Sequence, residues 1–97
     1  MTVQFAKVKA GHDKNHIYFL AGEDEKSVFL VNGTTKKLEH PKKKAKKHIQ
    51  IIKNLPKNIT GLFLEQNDLN DEMIKKALDE YATSILNRRI NNKTENK

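Results

Sequence analysis

The chain has 97 residues, 36% of them hydrophobic and 32% charged, with a net charge of +7 and no cysteine. That length suits one compact domain, which buries only about 60–65% of the surface its unfolded chain exposes. The absence of cysteine excludes disulfides and thiolate metal sites, and the lack of a long apolar run excludes a membrane-spanning helix.

Val3–Ala10 mixes β-branched and aromatic residues with polar ones and reads as a first strand, closed by the turn Gly11-His12-Asp13-Lys14-Asn15. His16–Ala21 and Ser27–Asn32 are dense in residues that favour pleated strands, joined by the polar hairpin Gly22–Lys26. Asn32-Gly33 is a strong hairpin signal, because both residues tolerate positive φ. It predicts Lys36–Glu39 as the strand partner of Ser27–Val31, stopped at Pro41, which has no N–H to give a ladder. A basic loop over 40–48 follows, then a fifth short strand at Ile49–Ile52. Tight turns between five such strands predict a small SH3-like or OB-like barrel over residues 1–54.

Residues 55–69 form a connecting arm. Within it Leu62-Phe63-Leu64 is too short for its period to decide between a strand and irregular packing. Residues 70–90 predict an amphipathic helix. Asn70 is placed to cap it, Asp71 and Glu72 suit its positive end, and Leu69 can staple onto Ile74. Ile74, Ala77, Leu78, Tyr81, Ile85 and Leu86 recur at helical spacing as an apolar stripe, and Arg88 and Arg89 suit the C-terminal end. Residues 91–97 read as a frayed tail. The fold class is mainly β with a C-terminal helix.

Both faces of the second and third strands are apolar. Ile17 and Phe19 oppose Tyr18 and Leu20, while Val28 and Leu30 oppose Phe29 and Val31. A barrel wetted outside alternates apolar with polar, so the helix is expected to cover the outer face. Ile74, Tyr81 and Ile85 would then pack on outward residues such as Tyr18 or Phe29.

Charge is concentrated. Residues 1–35 hold four lysines and four acids, residues 36–57 nine lysines and one glutamate, and residues 58–97 six basic and seven acidic side chains. The whole excess sits in the middle segment. Crowded like charges strain a compact state, whereas a polyanion repays them by releasing condensed counterions. Nucleic-acid binding is therefore the leading expectation. Lysine is the only basic residue before Arg88 apart from histidine. It meets phosphate as a point charge, so binding should follow backbone shape more than base sequence.

Val8 to Asn15, continued by Tyr18-Phe19, resembles a KOW motif, in which a strand ends in a glycine turn and a basic residue. The likeness continues through Phe29–Gly33, Lys37-Leu38-Glu39-His40-Pro41-Lys42-Lys43-Lys44 and Lys47-His48. Over roughly residues 3–53 the chain resembles bacterial KOW-domain RNA-binding proteins, related to KOW-type SH3-like ribosomal proteins of the archaeal and eukaryotic large subunit. The resemblance implies an SH3-like barrel whose loops contact structured RNA. It carries over Gly11, Asp13 and Lys14 of the first turn and the lysines after Pro41. At Asn15 the family commonly has glycine. Asn is the next best residue for a left-handed backbone, so the turn should survive.

The candidate RNA contacts are Lys9, His12 and Lys14 at the turn, with Lys36, Lys37, Lys42, Lys43, Lys44, Lys46, Lys47 and His48 in the basic segment. Gly11, Asp13 and Asn15 shape the turn. The lysine loop is expected to bind RNA without holding the fold, and the blander reading is a solvated, floppy loop. The stretch Pro41–Lys47 also fits a nuclear import signal, a pattern of low specificity, and a membrane-surface role lacks an adjacent apolar anchor. His40 and His48 lack a third metal ligand. Tyr18, Phe19 and Phe29 could stack on bases, but in so small a barrel they belong to the core. Ser27 and Ser84 have no nearby base, and the pairs Asp71/Glu72 and Asp79/Glu80 suit a helix start and a solvated face. The expectation is a cytoplasmic, monomeric, non-enzymatic RNA-binding protein of the translation apparatus, contacting ribosomal RNA or the ribosome. It should need no cofactor, metal, small-molecule substrate or membrane. The alternative is a protein-interaction module of a translation or transcription complex, with RNA contact secondary.

Overall fold

A computed structural model describes residues 3–64 and 69–95. Five strands, β1 (Phe5–Val8), β2 (Ile17–Glu23), β3 (Ser27–Val31), β4 (Lys42–Ala45) and β5 (Ile49–Ile52), precede two helices, α1 (Lys57–Leu64) and α2 (Asp71–Glu95). All pairings are antiparallel, in the order β4-β3-β2-β1-β5. The two edge strands are joined by one 3-10 turn, Lys46–His48. So short a link forces the sheet to curl until its edges approach, which makes a small SH3-like barrel. A register shift between Leu20 and Gly22 bends β2 where the curl needs it.

Two cores follow from the two apolar faces. Ala6, Val8, Tyr18, Val28, Leu30 and Ile49 fill the inside of the curled sheet. Phe5, Phe19 and Val31 face outward and are covered by Ile59 and Phe63 of α1 and by Met73, Ile74 and Ala77 of α2. The aromatic contacts knit this outer layer. Tyr81 meets Phe5 edge-on at 5.3 Å, and Phe63 stacks on Phe19 at 5.4 Å. The helix is thus the cover that the sequence calls for, but its seat is Phe5, Phe19 and Val31. Tyr18 points into the barrel instead, and Phe29 lies over Gly22, outside the helix-covered cluster.

Asn70 caps α2, its Oδ1 accepting the Met73 amide at 2.8 Å, and Leu69 joins the cluster that buries Ile74. Beyond Tyr81 the stripe loses its partner: Ile85 is only partly buried and Leu86 is 57% exposed. The helix continues to Glu95, past the expected end at residue 90 and through most of the expected tail. The side chains of Arg88 and Arg89 lie outside the described residues, as do residues 65–68 of the arm. Leu62-Phe63-Leu64 is neither strand nor irregular, because α1 spans it.

The expected strand at Lys36–Glu39 is absent, and β3 pairs instead with β4, inside the expected 40–48 loop. The physical reason lies in α2. Asn32 Oδ1 accepts the amides of Thr34 and Lys36, which closes a turn rather than launching a ladder. Leu38 is drawn to the outer core, and its amide donates to Asp71 Oδ1 at 2.9 Å. The chain returns to the sheet only after Pro41, whose missing N–H suits a strand entrance. Gly33 makes the seat possible. Its φ is +81°, and a Cβ there would stand 2.3 Å from the Asp71 carbonyl oxygen and 2.9 Å from the Lys75 nitrogen.

Gly33→Ala should therefore destabilise the protein by about 1–3 kcal/mol, read as a lower urea midpoint at unchanged slope. An unchanged midpoint would mean that α2 is not seated through this approach. Truncation after Lys57 removes the cover of Phe5, Phe19 and Val31 and should give an unfolded or self-associating product in analytical ultracentrifugation. A truncated chain that stays monomeric with the same melting temperature would make the helices a separate appendage.

Candidate nucleic-acid interface

The first turn is built as its residue types require. Gly11 and Asn15 both take positive φ, +90° and +75°, so asparagine sustains the left-handed position without glycine. The Asn15 amide donates to the Val8 carbonyl at 2.8 Å and the His16 amide to the Asp13 carbonyl at 2.9 Å. Lys9, His12 and Lys14 are exposed around this turn.

The lysine segment is a strand, and alternation sorts its side chains. Lys42 and Lys44 are in register with Leu30 and Val28, which face the barrel interior. Their stems therefore lie along the mouth of the barrel and only their ammonium groups reach outward. Lys42 ends in an ion pair with Asp13, whose Oδ2 is closed off from solvent. Lys44 Nζ lies over the turn, 3.3 Å from where a Cβ on Gly11 would sit. Lys43 takes the other face with Phe29 and is exposed. Three lysines on an edge strand also discourage pairing with a foreign strand.

The 3-10 turn completes the cluster. The Lys9 amide donates to the His48 carbonyl at 2.8 Å, which ties the first turn to the start of β5. Lys47 is exposed and His48 partly buried. Lys46 is held on the far side, its amide donating to the Lys26 carbonyl and its Nζ 3.6 Å from Glu23. At the same end, Asp24 accepts the amides of Ser27 and Lys26. Those bonds, with smaller contributions from Lys43 and Lys46, hold its carboxyl below the ordinary value of 3.8.

Lys9, Gly11, His12, Asp13, Lys14, Asn15, Lys42, Lys44 and His48 thus converge, with Lys47 next to His48, whereas Lys43 lies on the opposite face of β4 towards Asp24. Lys36 and Lys37 do not join them. They belong to the loop seated on α2, and no hydrogen bond or ion pair among the described residues links that loop to the first turn. The expected basic loop over 40–48 is a strand at Lys42–Ala45, and Lys42 is a counter-charge to Asp13 rather than a cation without a role in the fold. The sequence held one signal for this, Asp13 being the sole acid of the first turn. The pairing of Glu23 with Lys46 had no such signal.

A cleft of about 350 Å³ opens beside the turn, between the start of β2 and α2, lined by Asn15, His16, Tyr18 and Tyr81 among others. Burial raises the Tyr18 phenol above its ordinary value of 10.0. Sequence reasoning assigned Tyr18 to the core and Tyr81 to the helix stripe and did not foresee the cleft between them. One acid of each α2 pair is engaged in the fold: Asp71 accepts the Leu38 amide across the structure, and Asp79 pairs with Lys75 at 3.0 Å.

No group of three metal-ligating side chains is found among the described residues, and no described helix is long and apolar enough to cross a membrane. Compared with known proteins, the chain matches no protein-family model and no curated protein.

Lys42→Ala leaves the shielded Asp13 oxygen without its counter-charge and should destabilise the fold by about 1–3 kcal/mol. Lys43→Ala and Lys47→Ala, on exposed positions, should stay within about 0.5 kcal/mol. Pairing Lys42→Ala with Asp13→Asn should recover part of the loss in a double-mutant cycle. Additive losses would show that the ion pair carries no coupling.

Proposed function

We propose that this is a cytoplasmic, non-enzymatic RNA-binding protein that contacts ribosomal RNA or the ribosome through the first turn and the β4 edge. The observation that carries the reading is the convergence of the Gly11 turn, which bears Lys14, with Lys44 and with the His48 carbonyl beside Lys47. These are two segments, distant in sequence, that each bear the residues a KOW-like interface would use. A single floppy lysine run would not need the turn. Cations held at fixed points suit a folded RNA backbone, and lysine rather than arginine favours backbone over base edges. The general attraction to polyanions comes from charge, and the direction towards ribosomal RNA comes from the resemblance over residues 3–53.

Lys42 is committed to Asp13, so the exposed set is Lys9, Lys14, Lys43 and Lys47. If these four meet phosphates, log K against log salt should slope between about −2.8 and −3.6, at 0.7–0.9 per contact. Lys14→Glu and Lys43→Glu should each release the protein from ribosomal fractions in gradient sedimentation at near-physiological salt, with total RNA as competitor. Neither should change the melting temperature much. A protein that remains at the top of the gradient, or that bulk RNA displaces as readily as ribosomes do, rules out the ribosomal assignment. A salt-tolerant protein partner with a flat RNA salt dependence would favour the protein-interaction module instead.

A further inference from the structure

We infer that the cleft between β2 and α2 is a subsite for one unstacked nucleobase of the RNA whose backbone the adjoining turn holds. This rests on the RNA-binding reading and adds to it a contact that charge alone does not supply.

The cleft's position is the first argument. Lys14 and Asn15 are consecutive, so the residue proposed to meet phosphate sits next to a residue that lines the cleft. One nucleotide can then place its phosphate on the turn and its base beyond it. The volume is the second. About 350 Å³ lies at the lower end of small-ligand sites, which suits one planar ring system and little more. The walls are the third. Tyr81 is fixed edge-on against Phe5 at 82°, Leu78 gives aliphatic contact, and Ala82 leaves the helix side open. A prepositioned aromatic group is what base stacking needs, and its order is already supplied by folding.

The rim is the fourth argument. His16 and Asn15 are exposed, and their side chains make no hydrogen bond among the described residues. Asparagine offers both a donor and an acceptor, the pair that a base edge requires. Asn32, which also lines the cleft, is different: its side chain is consumed within its own turn. Glycine at position 15 would keep the turn and lose the amide. An asparagine there therefore gives the cleft a polar group that the backbone does not demand.

The protein carries its own probe. Of its two tyrosines, Tyr81 lines the cleft from α2 while Tyr18 borders it from β2 with its ring inside the barrel, and there is no tryptophan. The full chain is titrated with an RNA single strand of about eight nucleotides and with an abasic strand of equal length and charge. The base-bearing strand should bind roughly tenfold more tightly and quench tyrosine emission, while the abasic strand binds without quenching. Ala82→Phe, at an exposed helix position that faces the cleft, should abolish both differences and leave the salt slope unchanged. Asn15→Gly should keep the melting temperature and reduce discrimination among bases. Equal affinity of the two strands with unchanged emission overturns the cleft subsite while leaving the electrostatic reading intact. Binding of neither strand overturns both. Retention of the base-dependent difference in Ala82→Phe places the base elsewhere and also overturns the inference.

Discussion

Everything in this molecule depends on a sheet that is apolar on both faces. A five-stranded curl of short strands can shield one face by closing on itself, which buries Val8, Tyr18, Val28 and Leu30. The other face, with Phe5, Phe19 and Val31, then has to be covered from outside, or the barrel would present an adhesive surface. Leaving a single core side chain such as Phe5 without its packing costs on the order of 3–5 kcal/mol, a large share of the total stability of a small domain. The helices are therefore part of the barrel's own stability. Their docking also explains why the β3–β4 connection is long: Asn32 to His40 must reach α2 before the chain can rejoin the sheet.

That detour has a consequence for the charged segment. Because Leu38 and Gly33 are spent on the helix, the next residues available to pair with β3 are the lysines. Strand alternation then divides them without regard to charge. Lys42 and Lys44 must lie over the barrel mouth, and Lys43 must point away. Two inward lysines are tolerable only because their stems are apolar and their ends escape, one to Asp13 and the other across Gly11. The turn and the basic strand are held together by the same contacts that make the strand foldable.

How legible this was in the sequence varied with the range of the interactions involved. The number of strands, the β2–β3 hairpin, the capped helix and the need for an outer cover all follow from local pattern, and the structure has them. Asn15 in the left-handed region was readable from its residue type together with the glycine that the KOW resemblance implies there. The partner of β3 was not, because Asn32-Gly33 is a sound hairpin signal whose outcome was reversed by a contact with Asp71, far along the chain. The end of the apolar stripe was also hidden, since Leu86 continues the period past the point where the barrel ends. In the site, the turn and the lysines could be named, but not which lysine was already neutralised. The cleft, made by β2 and α2 together, had no signature in either segment.

The change from loop to strand alters what the basic segment can do. Lysines on a floppy loop would lose side-chain and backbone freedom on meeting phosphate, and such ordering takes back part of the affinity. On β4 the backbone is already fixed by the ladder with β3, and Lys44 is further confined by its position across the turn. The remaining cost is that of the side chains alone. A fixed array discriminates, because only a backbone whose phosphates match its spacing gains every contact, whereas a flexible run adapts to any polyanion. The same rigidity sets a limit: with Lys42 held by Asp13, the proposed RNA-binding surface has fewer unpaired cations than the composition suggests. If that surface binds RNA as proposed, its few but ordered charges leave selectivity to shape, and to whatever the adjoining cleft contributes beside it.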